Sequence, residues 1–231
     1  MTRLHPDDGL PAGGQSSIAD IRAFITANLH LRPAPALPDI LIYTAHPASG
    51  LSRLGARNAD NPPPYWAYGW AGGTVLAHHL FSDPECVRGR RVVDLGAGAG
   101  IVAIAAAKCG AASVAAADID LNAIAAIGLN AEANAVTIDV RHADFLSAAP
   151  PDVDIILAGD VFYEESLAAR MLGFLRDCRT AGIDVLIGDP RRTPLPQEKL
   201  RLVAEYPVPD FGYGSRGGTT LGGIFAIDLA G

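Results

Sequence analysis

Between residues 91 and 188, short apolar runs alternate with segments of helical period, and no other feature of the chain limits its fold as much. Residues 92–95, 113–117, 137–140, 155–158 and 183–188 read as strands. Residues 101–109, 121–134 and 165–179 read as helices, the last with Leu167, Met171, Leu175 and Cys178 on one stripe. Strand, helix and strand repeated in this way predict a parallel sheet covered on both faces, a Rossmann-like α/β fold. The end of the chain departs from the pattern. LRLVAEYPV and TTLGGIFAIDL are two strand-like runs joined by the Gly-rich DFGYGSRGG, which predicts an antiparallel hairpin on the sheet edge.

The N-terminal quarter follows different rules. Residues 1–16 are rich in Gly, Pro and polar side chains and read as a flexible tail. Ile18, Ile21, Ile25 and Leu29 then fit an amphipathic helix capped by Ser16 or Ser17, and PDILIYTA reads as a strand. With the extended loop that follows, residues 17–64 form a small helix–strand cap on a main domain covering 65–231. A chain of 231 residues, 49% of them hydrophobic, is long enough for one substantial core and such an addition.

A net charge of −7 counts against a nucleic acid or an anionic membrane as the main partner, since both reward an excess of Lys and Arg. Cys86, Cys109 and Cys178 are odd in number and lack CxxC spacing, so buried free thiols are expected, with no disulfide framework and no metal site. No apolar run reaches the length a bilayer needs, and residues 1–17 lack an apolar targeting core, which leads us to expect a cytoplasmic protein.

VVDLGAGAG places Gly96, Gly98 and Gly100 directly between a buried strand and a helix. Three glycines let the backbone approach a ligand closely while the helix start offers unpaired N–H groups. The spacing is GxGxG: a dinucleotide fingerprint would need glycine where Ile101 stands, and the GK[ST] of a triphosphate loop is missing. Asp94 lies two residues ahead of the first glycine. An acidic residue followed by GxGxG resembles the first motif of the class I, seven-strand methyltransferases that use S-adenosylmethionine (SAM). That resemblance implies SAM held by Asp94, Gly96, Ala97, Gly98 and Gly100. It also implies Asp118 on the ribose hydroxyls at the end of SVAAADID, and Asp144 and Phe145 of HADFL at the adenine. Asp120 is expected to cap the next helix, and an exposed turn remains the alternative for Asp144.

Both tryptophans fall in PPPYWAYGWAGGTVLA, just ahead of a helix expected over 73–81. This stretch, with LIYTAHPASGLSRL, GDVFYE and IGDPRR, resembles the protein lysine methyltransferases of the electron transfer flavoprotein β-subunit type. The resemblance runs from about Ile40 to Asp189. It implies that Trp70 packs on the cofactor and roofs the pocket, while Trp66 and Tyr65 shape a channel for a lysine; a hydrophobic anchor for the cap is the alternative for either tryptophan. It further implies that Gly159 lies against the cofactor, and that Asp160 and Tyr163 face the substrate, with Asp160 holding the incoming ammonium and Tyr163 offering a hydroxyl. Helix capping and core packing are the respective alternatives. Arg191 and Arg192 read as a solvated pair, and His78 and His79 as structural or surface residues. The protein substrate implied is the electron transfer flavoprotein β subunit, with a ribosomal protein as a second target. The other readings are transfer to a different protein or a small amine, and a SAM-binding interaction module without turnover. The NPPY or DPPY signature of amide and nucleobase methyltransferases is absent, since GDVF stands in its place.

Overall fold

The computed structural model describes residues 17–55, 63–209 and 218–228, so the tail expected at 1–16 and most of the turn expected at 210–218 lie outside the described residues. Ser17 starts helix α1 (Ile18–Asn28) with a capping box: its hydroxyl accepts from Asp20 N while Asp20 reaches back to the Ser17 amide. An antiparallel hairpin follows, β1 (His30–Ala34) with β2 (Leu37–Thr44). Strand β1 is not legible in the sequence because four of its five residues are exposed, which leaves no apolar alternation to read. A short helix α2 (Ser52–Gly55) interrupts the region expected to be extended loop.

This cap builds no core of its own. Ile21, Phe24 and Ile25 of α1 pack with Trp66, Ala123, Ala126 and Leu129, while Leu37, Ile40 and Ile42 join the main core. Two asparagines stitch the cap down: Asn130 accepts from Tyr43 N at 2.8 Å and donates to Ala99 O at 2.8 Å, and Asn134 accepts from Leu41 N at 3.0 Å. Backbone groups along β2 that would otherwise lack partners are satisfied in this way.

The remaining elements run α3 (Ala71–Ser82), β3 (Arg91–Leu95), α4 (Ile101–Lys108), β4 (Ser113–Asp118), α5 (Leu121–Ala133), β5 (Asp139–His142), β6 (Ile155–Gly159), α6 (Glu165–Thr180), β7 (Asp184–Asp189), β8 (Leu200–Pro209) and β9 (Thr219–Ile227). They form one seven-stranded sheet in the order β5-β4-β3-β6-β7-β9-β8. β3 to β7 are parallel, and the β8–β9 hairpin adds antiparallel strands with β9 against β7. This is the α/β fold expected, hairpin included. Strand β5 begins two residues later than expected: three of its four residues are exposed, so hydrophobicity does not mark its start.

Helix α4 is apolar all round and buried over Ile101–Ala106, as a helix packed between sheet, cap and α3 must be. Helix α6 buries only Ala168, Met171, Phe174, Leu175 and Cys178 on one face. Strand order reverses between β3 and β6, whose carboxyl ends lie side by side with Leu95 opposite Ala158. Open α/β sheets carry their ligands in the crevice at such a switch point.

Candidate active site

A cavity of roughly 700 Å³ opens at that switch point, in the size range of sites for small molecules and cofactors. The loop after β3 forms one wall. Gly96, Gly98 and Gly100 all have positive φ (62°, 53° and 77°), a region that side chains rarely adopt. A Cβ on Gly100 would meet Ile127 of α5 at 3.2 Å, so this glycine serves the packing of the turn. A Cβ on Gly98 would have no neighbour nearer than 3.9 Å and would stand in the cradle itself.

Two carboxyls support the loop. Asp94 is buried, and its Oδ2 accepts from Ala103 N at 3.0 Å in the first turn of α4. Burial pushes this carboxyl up to about 8, against the pull of the Ala103 amide. Asp118 ends β4 and accepts from Gly98 N at 2.9 Å on Oδ2 and from Asp120 N at 2.9 Å on Oδ1. Burial raises it too, against those amides. A carboxylate has about four acceptor sites, so Asp118 keeps capacity for a ligand hydroxyl. Asp120 caps α5 through Asn122 N, as expected.

Phe145 lines the far end of the same cavity. Asp144 lies there too, but its carboxylate caps its own 3₁₀ turn through Leu146 N and Ser147 Oγ and pairs with Arg170 at 3.0 Å. Partial burial raises its pKa less than the Ser147 and Arg170 bonds lower it, and the net direction is down.

The opposite end is aromatic. Trp70 precedes α3, donates Nε1–H to Tyr65 O at 2.7 Å and makes edge contacts with the Tyr65 and Tyr68 rings at 5.8 and 6.0 Å. Tyr163 is half exposed, 5.5 Å from the Tyr65 ring, and burial with nearby Tyr65 and Asp118 raises its phenol. It therefore remains a protonated hydroxyl. Trp66 is only 2% exposed, packs with α1 and α5 and also lines the cavity, so it anchors the cap while forming part of the wall.

Asp160, just after β6, takes the helix-capping alternative, at α3 rather than at a helix of its own loop. Its Oδ2 accepts from Gly72 N and, at 3.0 Å, from Gly73 N, so it closes the N-terminus of α3. Its Oδ1 accepts from Arg192 Nε and Nη2 at 2.9 and 2.6 Å. Four donors fill the four acceptor sites, and the carboxylate in this arrangement has none left for a substrate ammonium. Burial raises its pKa, while Arg192 and the two amides pull it back. Arg192 is therefore not half of a solvated pair: its side chain is 17% exposed and its guanidinium lies 5.9 Å from the Trp70 ring. No local signal in the sequence distinguishes it from Arg191.

Gly159 lines the cavity, but its missing side chain is explained by α3, because a Cβ there would lie 2.7 Å from Gly73 Cα. His79 is buried with Nδ1 3.1 Å from Tyr206 Oη, a structural contact away from the cavity. Among the described residues, no group of three His, Cys, Asp or Glu could hold a metal ion, and no helix is long and apolar enough to cross a membrane.

Residues 71–169 match the family described as Methyltransferase small domain. An electron transfer flavoprotein beta subunit lysine methyltransferase from Danio rerio is 37% identical over 198 residues, covering 83% of this chain and 77% of that protein. The Homo sapiens protein of that name is 33% identical over 214 residues, covering 89% of this chain and 82% of the other. This chain belongs to that family. A methyltransferase-fold protein of known structure from Pyrococcus horikoshii shares the fold at TM-score 0.51 and 16% identity, with 75% of this chain and 91% of that one covered.

Membership of the flavoprotein β subunit lysine methyltransferase family implies SAM as methyl donor, and the residues present fit it. The side-chain-free cradle at Gly98, the acceptor capacity of Asp118 and the aromatic Phe145 lie along one cavity that ends at Trp70 and Tyr163.

Proposed function

We propose that this chain transfers methyl groups from SAM to lysine side chains of an electron transfer flavoprotein β subunit. The observation that carries this reading is the single cavity that joins the open Gly98 cradle to the half-exposed ring of Tyr163. Relatives 33% and 37% identical to this chain are named for that substrate.

When bound, SAM would supply an electrophilic methyl carbon for in-line attack by a neutral amine, the S–C bond breaking to release adenosylhomocysteine as a neutral thioether that needs no acid, with the new ammonium giving its proton to water. The residues assigned to hold it are Gly96, Ala97 and Gly98 through the loop, Asp118 at the ribose and Phe145 at the base, with Gly100 serving the turn rather than the ligand. Asp94 braces that loop through α4. Tyr65, Trp70 and Tyr163 then accept the alkyl stem of the lysine, whose ammonium or amine is attracted by ring faces. Tyr163 also keeps a hydroxyl for the amine. Asp160 and the α3 amides fix the floor beneath this end. At pH 7 an ordinary lysine lies about 3.4 pKa units from neutral, a cost of roughly 4.6 kcal/mol. Orientation alone can supply about 7–11 kcal/mol, so placement is the larger effect. The exposed Glu164 and Glu165 beside Tyr163 suit a basic segment around the target.

Labelled SAM tests this directly. Incubated with the chain and a purified flavoprotein β subunit, label is expected on lysine, mapped by peptide mass spectrometry. Label that appears only on other proteins of a lysate, or only on small amines, overturns the substrate. Absence of adenosylhomocysteine binding by calorimetry overturns the whole reading.

A further inference from the structure

Strand β7 ends in Asp189, and the loop behind it is held on three sides. Asp189 Oδ1 accepts from Arg192 N at 2.7 Å, and Leu195 N donates to Arg192 O at 2.9 Å. Arg191, with φ of 65°, donates to Leu221 O at 3.0 Å, pairs with Glu205 and lies 5.6 Å from the Phe225 ring. The β8–β9 hairpin thus fixes Arg191 outward, and the next residue is aimed inward at Asp160. So much support around one side chain suggests a demand for its position.

The charge of Asp160 is met on both oxygens, by a guanidinium on one and by the start of α3 on the other. The first turn of α3 carries no acidic side chain. Asp189, which burial pushes up to about 7 and on which Asp160 acts, has Oδ2 unpartnered among the described residues, and Glu165 lines the cavity from α6. Tyr163 stays a phenol, and Asp118 lines the cavity on its β4 side. Without Arg192, the transfer end would present a bare carboxylate to any amine entering it. An opposite charge within about 4–6 Å raises an ammonium pKa by about 1–3 units, which would hold lysine in the form that cannot attack.

We propose that Arg192 is a positioning residue that neutralises Asp160, so that this carboxylate presents no net charge to the target lysine, which enters as a free amine. This rests on the methyl-transfer reading above. Arg192→Gln removes the charge and keeps hydrogen-bond donors, whereas Arg192→Lys keeps the charge. In the pH profile of kcat with a flavoprotein β subunit, the acid limb of Arg192→Gln is expected to move up by about 1–2 pH units, and that of Arg192→Lys to stay with the parent. Calorimetry gives a second readout that needs no protein substrate. At pH 8 the bare carboxylate of Arg192→Gln should favour the sulfonium of SAM over neutral adenosylhomocysteine about tenfold more than the parent does, a shift of about 1.4 kcal/mol. The double variant Asp160→Asn with Arg192→Gln, again without net charge, should restore the parent ratio. If Arg192→Gln fails to fold, Asp160→Asn alone carries the test: it leaves the guanidinium unmatched and should shift the ratio about tenfold the other way, and an unchanged ratio overturns the proposal. A parent that binds neither ligand sinks the methyl-transfer reading. A parent that binds both, with the ligand ratio unchanged in Arg192→Gln, overturns the role of Arg192 alone; so does an acid limb that stays in place.

Discussion

The two walls of the cavity follow adjacent strands of one sheet, yet they are built on opposite principles. On the β3–β4 side, the Gly96 to Gly100 loop leaves Gly98 open to the cavity, and Asp118 keeps acceptor capacity. On the β6–β7 side the polypeptide satisfies itself. Gly72, Gly159 and Gly188 let α3 sit against the strand ends, and Asp160 is filled by two amides and Arg192. One wall is shaped to receive a ligand, and the other to be a rigid, electrically balanced floor. The difference teaches that glycines at neighbouring strand ends serve unlike purposes: Gly98 makes room for something outside the chain, and Gly159 makes room for the chain itself.

The largest expected effect separates the walls by pH: burial raises Asp94 and Asp118 on one wall and Asp160 and Asp189 on the other, with Asp94 at about 8 and Asp189 at about 7. The native state keeps protons that the unfolded chain loses from about pH 4 upward. The stability contributed by these two groups is therefore full below about pH 4 and is lost as pH rises, by up to about 1.4 kcal/mol per pH unit for each group. The fall ends near pH 7 for Asp189 and near pH 8 for Asp94. Urea unfolding from pH 4 to 9 should show Asp189→Asn flattening the slope below about 7, and Asp94→Asn flattening it up to about 8. Slopes unchanged in both variants would mean that both carboxyls are ionised in the fold and the electrostatic likeness between the walls is false.

Glycine substitutions come next. Gly98→Val should weaken adenosylhomocysteine at least 100-fold, about 2.7 kcal/mol. Strain at φ of 53° costs only roughly 1–2 kcal/mol, so the protein stays folded. Gly159→Ala should do the reverse. Its Cβ meets the Gly73 backbone at 2.7 Å, and overpacking costs about 1–3 kcal/mol. That lowers the melting temperature by about 2–4 °C per kcal/mol in a chain of this size. If Gly159→Ala instead loses ligand at unchanged stability, the two walls are alike after all.

The same contrast explains what could be read in advance. The β3–β4 wall is contiguous in sequence: strand, GxGxG and helix are neighbours, and Asp118 follows at the next strand end, so local pattern places the loop and its carboxylate. The β6–β7 wall draws on α3, β6 and the loop after β7. Asp160 and Arg192 are 32 positions apart, and Gly72 is 88 positions from Asp160. Nothing local marks Arg192 as different from Arg191, because the distinction is made by Glu205 and Leu221 on the hairpin. The fold was legible wherever burial imposed a period, and β1 and the start of β5 escaped because their residues are largely exposed. Trp66 satisfies both readings of the sequence, because an aromatic in a Pro-rich turn can face a site and a core at once: it packs with α1 and α5 and also lines the cavity.

The smallest effect tests the receptive wall within itself. Asp118 holds the loop by accepting from Gly98 N and holds the start of α5 by accepting from Asp120 N, one bond to each oxygen. The carboxamide of an Asp118→Asn variant could serve only one of these donors, because its nitrogen would face the other N–H. The chain can relax by turning the carbonyl toward Gly98, which keeps the cradle but removes an acceptor for a ligand hydroxyl. We therefore expect adenosylhomocysteine to weaken about tenfold, near 1.4 kcal/mol, well short of the Gly98→Val loss. An analogue lacking the ribose hydroxyls should bind parent and variant with similar affinity, since the group lost has no partner in it. Equal weakening for both ligands would instead assign Asp118 to loop support alone, and the receptive wall would reduce to its glycine cradle.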